Sequence, residues 1–379
     1  MKKKAIYVNV KPEIIKWGID SAGFKYSEIS KKLGGKENLI DDWLSGKSKP
    51  TLKQLEKLTT LIKRPLASLF LSKVPEEKSL PKDFRMISGK DNKFEKKTIF
   101  AIRRARSLQR ISKELSNFIN EEIKINIEKV DISKDPKEIS LFYRKLFDLT
   151  EDKQKKFKNH YKFYNYLRTT FEKFNIFPFQ ISMPLEDARG FTLIDDTPAV
   201  IVVNSKDIID ARIFTLMHEF GHVLLGETGI DIPELDSNNK IEKWCNKFSS
   251  NFLLPEEIAK RIFEENKDSL IKNETLNFLS NKYKVSKTML LYNMLQYGYI
   301  NENLFGEILN RYKSTVLVGE KKSSNIPIET KRISEMGNKF ISLVADNLEK
   351  KNITYSDALG YLSIKSLKLN KLLNKQKND

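Results

Sequence analysis

The chain has 379 residues, enough for two domains and a third small one, each with its own core. Lys and Arg number 68 against 50 Asp and Glu; the resulting formal charge of +18 fits contact with nucleic acid, acidic protein or an anionic surface, and equally a solvated Lys-rich exterior. One cysteine, Cys245, excludes an intrachain disulfide, no run reaches the roughly 20 apolar residues of a membrane span, and the basic start MKKKAIYVNV is interrupted by Lys11 and Pro12 before it forms a signal sequence, so a cytoplasmic location is expected.

Residues 11–71 read as short helices punctuated by Gly and Pro: PEIIKWGIDSAG, then KYSEISKKLG, a turn at Gly34 and Gly35, KENLIDDWLSG, TLKQLEKLTTLIK after Pro50, and PLASLFL from Pro65. Two short helices joined by a tight glycine turn form the core of a helix-turn-helix. In that motif the second helix, here residues 36–44, enters the major groove of double-stranded DNA. Lys36, Glu37 and Asn38 are then the base readers, and Lys47 and Lys49 face phosphates. Asp41 and Asp42 oppose this reading, and docking of a partner protein is the alternative use of the module.

Residues 1–74 are thus a first domain, and the charged stretch 75–100, with Pro75 and Pro81, reads as a linker. A long helix is expected over 101–129, carrying Arg103, Arg104, Arg106 and Arg110, and another over 152–174, with Phe157, Tyr161, Tyr164, Phe171 and Phe174 as core aromatics. His160 falls there alone and is read as a structural histidine. RGFTLIDDTPAVIVVN alternates around Asp195, Asp196 and Thr197, a hairpin signature, and its edge is expected to accept an extended peptide as an added strand. Ser205 is an expected N-cap for a helix that runs to Gly226, and IEKWCNKFSSNFLLP is a further helix stopped near Pro255. Helical spacing continues through residue 299 and reappears in the Lys-rich stretch 301–379 at Phe340, Leu343, Val344 and Leu348. The fold class is therefore mainly α with a small β-sheet.

The chemistry concentrates in His218-Glu219-Phe220-Gly221-His222. Hydrolysis assisted by Zn²⁺ needs two neutral imidazoles on one face, a third ligand from elsewhere, an open position for water and a carboxylate base. At about 100° per residue, His218, Glu219 and His222 fall on one side of the helix, while Ile209, Ile213, Leu216, Met217, Phe220 and Leu224 form an apolar stripe on the other. Glu219 is the base. The third ligand is an acid, since no histidine follows; Glu227, Asp231, Glu234, Asp236 and Glu242 are the candidates. Glu242 is favoured, because it opens a helix on which Asn246 shares its face, whereas the others lie in or beside a Pro-containing loop. Cys245 is read as a small buried hydrophobe.

RGFTLIDDTPAVIVVN, FTLMHEFGHVLLG and IEKWCNKFSSNFLLP, in that order, resemble the ImmA/IrrE family of bacterial and phage metallopeptidases. WLSGKSKPTLKQLEKL resembles the XRE-type helix-turn-helix often fused to it, LPKDFR at 80–85 the joining segment, and ITYSDALGYLSIK the helical extension of some members. The resemblance implies an N-terminal helix-turn-helix bundle (1–74), a zincin-like metallopeptidase domain (101–300) and a helical C-terminal extension (301–379). It implies a gluzincin-like set in which His218 and His222 are the motif histidines, Glu219 its base and Glu242 the glutamate of the downstream E-x-x-x-N-x-F pattern. HEFGH departs from the more usual HELAH or HELGH only at packing positions. The implied activity is site-specific cleavage of a transcriptional repressor or antitoxin encoded nearby, controlling stress, mobile-element or phage genes. The alternative is a DNA-binding regulator or antitoxin with a structural or inactive zinc site, for which a complete Glu219 base has no use.

Overall fold

The computed structural model describes residues 6–75, 94–121, 123–227, 230–231, 240–316 and 326–378, and divides into two compact units, Met1–Arg104 and Ala105–Asp379. In the first, α1 (Pro12–Asp20), α2 (Tyr26–Lys32), α3 (Leu39–Leu44) and α4 (Leu52–Ile62) are followed by a 3₁₀ turn, Leu66–Phe70. Pro12 pre-sets the first turn of α1, and Thr51 and Gln54 form a reciprocal capping box on α4. Ile14, Ile19, Ile29, Ile40, Leu55, Leu58 and Ile62 are fully buried, each contributing about 1.5–3 kcal/mol relative to exposure. The third helix is shorter than the expected 36–44: residues 36–38 precede it. Its start is fixed from α2, where the buried Ser30 hydroxyl accepts the Ile40 N–H at 3.3 Å, satisfying a first-turn donor.

Of the expected linker 75–100, residues 76–93, LPKDFR among them, lie outside the described residues, and α5 (Lys96–Phe118) already begins inside it. This helix stops well short of residue 129 because Asn120 takes a left-handed conformation (φ 56°) just past its end.

The second unit continues with α6 (Pro136–Leu146), α7 (Glu151–Lys156) and α8 (His160–Lys173). The single helix expected over 152–174 is two. Thr150 caps α7, and Asn159 Oδ1 accepts the Lys162 N–H at 3.0 Å, so a side chain restarts the helix instead of the chain running through. Tyr164 and Phe171 are buried as expected, but Tyr161 is exposed and Phe163 takes a core place.

Then come β1 (Ile176–Ile181), β2 (Gly190–Leu193), β3 (Ala199–Asn204), α9 (Ile209–Leu225), β4 (Ile230–Asp231) and α10 (Lys240–Leu253). The strands form one sheet in the order β1-β3-β2-β4, with β1 parallel to β3 and the other pairs antiparallel. The hairpin edge expected to be open is partly taken: β4 pairs Asp231 with Gly190 and Ile230 with Phe191. Alternation along each strand sends Ile176, Ile201, Val203, Thr192 and Gly190 to the α9 face. Phe177, Phe179, Phe191, Val200 and Val202 go to the opposite face, and all are buried.

After α11 (Glu256–Glu265), α12 (Asn273–Tyr283), α13 (Lys287–Gln296) and α14 (Glu302–Val316), the opposite face is covered by α15 (Ile328–Met336) and α16 (Asn338–Glu349), followed by α17 (Tyr355–Leu362) and α18 (Ser366–Asn378). Phe340 packs edge-on against Phe179 with centroids 5.6 Å apart, Lys339 Nζ stands 5.8 Å from the Phe177 ring centroid, and Asn347 donates to Leu115 O at 3.0 Å. The described residues of 301–379 fall in the same compact unit as the metal-motif helix. Among the described residues, no helix is long and apolar enough to cross a membrane.

Candidate metal centre

Helix α9 begins later than the Ser205 cap predicts. Ile208 is its N-cap residue, and Asp207 Oδ1 accepts the Ile208 N–H at 2.9 Å while Oδ2 takes Arg189 at 2.7 Å. Gly226 ends it in a left-handed conformation, as the sequence anticipates. Ile213, Leu216, Met217, Phe220 and Leu224 are fully buried on one side. The polar side is buried too: His218, Glu219 and His222 are 1%, 0% and 2% exposed, because α10 and strand β2 cover it.

Helix α10 lies against α9 through a close approach at Gly221, where a Cβ would come 2.9 Å from Cys245 Sγ. That packing brings Glu242, in the first turn of α10, over the two imidazoles. Glu242 Oε2 is 3.0 Å from His218 Nε2, Glu242 Oε1 is 3.3 Å from His222 Nε2, and the two Nε2 atoms are 3.2 Å apart. Burial pushes the Glu242 carboxyl up, but the hydrogen bonds and charges of His218 and His222 outweigh it and hold the group well below the usual carboxylate range.

These separations fit a small divalent ion. With bonds of about 2.0–2.1 Å, corners of a tetrahedron stand roughly 3.3–3.4 Å apart, and two imidazoles with one carboxylate form a donor set suited to zinc with a fourth position left open. Among the described residues, these three side chains form the one cluster of His, Cys, Asp and Glu able to hold a metal ion. Glu227 is exposed beyond Gly226, Asp231 lies in β4, and Glu234 and Asp236 fall outside the described residues. Cys245 is buried against Gly221 and is not part of the cluster. His160 opens α8, 3.5 Å from Asp210 Oδ1.

Asn246, one turn after Glu242, places Oδ1 2.9 Å from His218 Nδ1. An amide oxygen there accepts only from a protonated Nδ1, which leaves the Nε2 lone pair directed at Glu242 and the metal position. Asn246→Ala is expected to weaken zinc affinity about 10–100-fold while Glu242 stays in place, read by competition with a chromophoric chelator.

The far end of α10 is anchored by two buried groups. Arg144 on α6 donates to Phe252 O at 2.5 Å and to Gln154 Oε1 at 2.9 Å, and Gln154 donates to Leu253 O at 2.8 Å. These groups satisfy carbonyls that the helix end leaves without intrahelical partners. Sequence reasoning missed α6, although Asp135-Pro136 marks its start: Asp135 Oδ1 accepts the Lys137 N–H at 3.0 Å and Pro136 is at N1. It also missed Thr192, whose hydroxyl donates to Glu219 Oε2 at 2.6 Å. The available signal was a polar residue within the otherwise apolar run Gly190–Leu193.

The five DNA-reading candidates do not belong to this centre. Lys36, Glu37 and Asn38 stand exposed before α3, and Lys47 and Lys49 exposed after it.

Comparison with curated proteins and with solved structures returned no match. Residues 171–295, which run from the end of α8 into α13 and hold His218, Glu219, His222 and Glu242, match the family model Peptidase_M78, the IrrE N-terminal-like domain, and this match supports a metallopeptidase role for the segment.

Proposed function

We propose that the chain is a zinc-dependent, site-specific endopeptidase of the cytoplasm that cleaves a transcriptional repressor or antitoxin encoded near its own gene. The observation that carries the reading is the convergence of His218, His222 and Glu242 around one position, with a buried carboxylate, Glu219, on the same helix inside the segment matched to a metallopeptidase family. A structural zinc site is closed by four protein ligands, whereas three ligands with a carboxylate alongside suit an open position for water.

His218, His222 and Glu242 would hold the ion, which when bound supplies Lewis acidity to the scissile carbonyl and to the attacking water. Glu219 then accepts the proton from that water and later delivers it to the leaving amine. The buried setting of Glu219 keeps competing solvent from its carboxylate. Co-expression of the chain, or of Glu219→Gln, with the repressor encoded beside its gene tests the reading. Loss of the repressor with the parent chain and survival with Glu219→Gln is expected; equal survival overturns the reading for that substrate.

The N-terminal unit is assigned to double-stranded DNA on the exposed positions of Lys36, Asn38, Lys47 and Lys49 around α3. Tighter binding of a labelled duplex at about 50 mM than at about 200 mM salt is expected from phosphate contacts. An affinity flat across that range would instead favour a protein partner for this unit.

A further inference from the structure

We propose that strand β2 is the cradle of the catalytic base, and that Thr192 is a positioning residue for the Glu219 carboxylate. The proposal rests on the peptidase reading above and names a residue that reading leaves without a role.

Glu219 follows a metal ligand on α9, and backbone geometry alone leaves its side-chain torsions open. A carboxylate with several rotamers available must be fixed in one to meet a water held at the neighbouring metal position. Thr192 supplies the fixing contact. Its hydroxyl is fully buried and lies 2.6 Å from Glu219 Oε2 and 3.1 Å from the Glu219 carbonyl oxygen. A hydroxyl has one proton to donate, and the shorter contact, to the side-chain oxygen, is the stronger claim on it.

Gly190, two residues earlier and so on the same face of the strand, shapes the other side of the carboxylate. A Cβ at Gly190 would come 3.0 Å from Glu219 Oε1, 2.5 Å from Thr215 Cγ2 and 2.9 Å from Val202 O. One strand therefore offers a donor to Oε2 and a bare backbone beside Oε1. Both contacts fix the rotamer of the carboxylate from the same strand face.

The strand is itself rigidly placed. Thr192 pairs with Ile201 in β3, and the connecting turn is held from α5, where Gln109 Nε2 donates to Pro198 O at 2.9 Å and to Asp196 O at 3.1 Å. Lys113 Nζ lies 2.8 Å from Asp196 Oδ1, and Arg106 bonds Asp195. Thr192 therefore has little freedom to follow Glu219; it dictates where the carboxylate rests.

The test compares Thr192→Val, Thr192→Ala and Thr192→Ser with the parent and with Glu219→Gln, each full-length and zinc-loaded. Cleavage of the repressor encoded beside the gene is measured together with zinc content and melting temperature. The Val and Ala forms should lose on the order of 10²-fold in kcat with KM and zinc content unchanged, the cost of a misplaced group near the reacting atoms. The Ser form, which keeps the donor, should stay within about threefold. Val and Ala forms that cut like the parent, while Glu219→Gln does not, overturn the role of Thr192 alone. A parent no more active than Glu219→Gln overturns the peptidase reading and this inference with it. Failure of both Val and Ala forms to fold, with the Ser form folded, assigns the hydroxyl to stability and also overturns the proposal.

Discussion

Glu242→Gln is expected to strip the centre of zinc. The substitution keeps the shape of the side chain and removes its charge, leaving two imidazoles, 1% and 2% exposed, to compensate a divalent ion alone. If a four-ligand structural site is worth roughly 10–16 kcal/mol, one ligand carries about 3–4 kcal/mol, or 10²–10³ in affinity. Competition against a chromophoric chelator reads the loss directly. A thermal readout follows from linkage: zinc at about 1,000 times its dissociation constant should stabilise the parent by about 4 kcal/mol, and the same zinc concentration should stabilise the variant by only about 0.4–1.4 kcal/mol. Glu227→Gln is the control, because Glu227 is exposed beyond the end of α9. Zinc retained by Glu242→Gln and lost by Glu227→Gln would move the third ligand to the loop.

Gly221→Val should damage both the fold and the centre. An ideal Cβ at this position lies 2.9 Å from Cys245 Sγ, 3.2 Å from its Cβ and 3.3 Å from its Cα. The last of these is backbone, so α10 has to move away. Overpacking of this kind costs about 1–3 kcal/mol, and two added methyl groups put the substitution at the upper end. Any gain from replacing glycine within a helix is about 1 kcal/mol or less and does not offset it. Displacement of α10 carries Glu242 with it, so zinc affinity should fall along with the urea midpoint. Gly221→Ala should show the same pattern in milder form, and adding Cys245→Ala should recover part of it by removing the Sγ contact. Full stability and full zinc affinity in Gly221→Val would show that the helices are not held at this contact.

The metal-motif helix was legible because everything that specifies it is local: an apolar stripe, two histidines four apart and a glycine at its end. Glu242 and Asn246 were legible for the same reason, as neighbours on one helical face. The break between α7 and α8 was not, because the aromatic spacing runs across it and the deciding contact is one Asn159 side chain claiming the Lys162 N–H. The first strand went unread because Ile176–Ile181, buried almost throughout, has no alternation to announce it. The role of Thr192 depends on which strand α9 lies upon, a long-range fact that no local pattern carries. The same holds for the stretch 301–379, whose periodicity gave helices but not the sheet face they cover.

That covering has a consequence for biosynthesis. All the residues of the candidate metal centre have been translated by the end of α10, yet Phe177 and Phe179 on β1 keep an apolar sheet face without its cover until α15 and α16 are made. At ~5–20 residues per second, translation of residues 254–349 takes roughly 5–19 s. For that interval the nascent chain carries His218, His222 and Glu242 beside a sheet with one face open, a form exposed to aggregation. Synthesis of α15 and α16 thus sets the time at which that sheet face is closed.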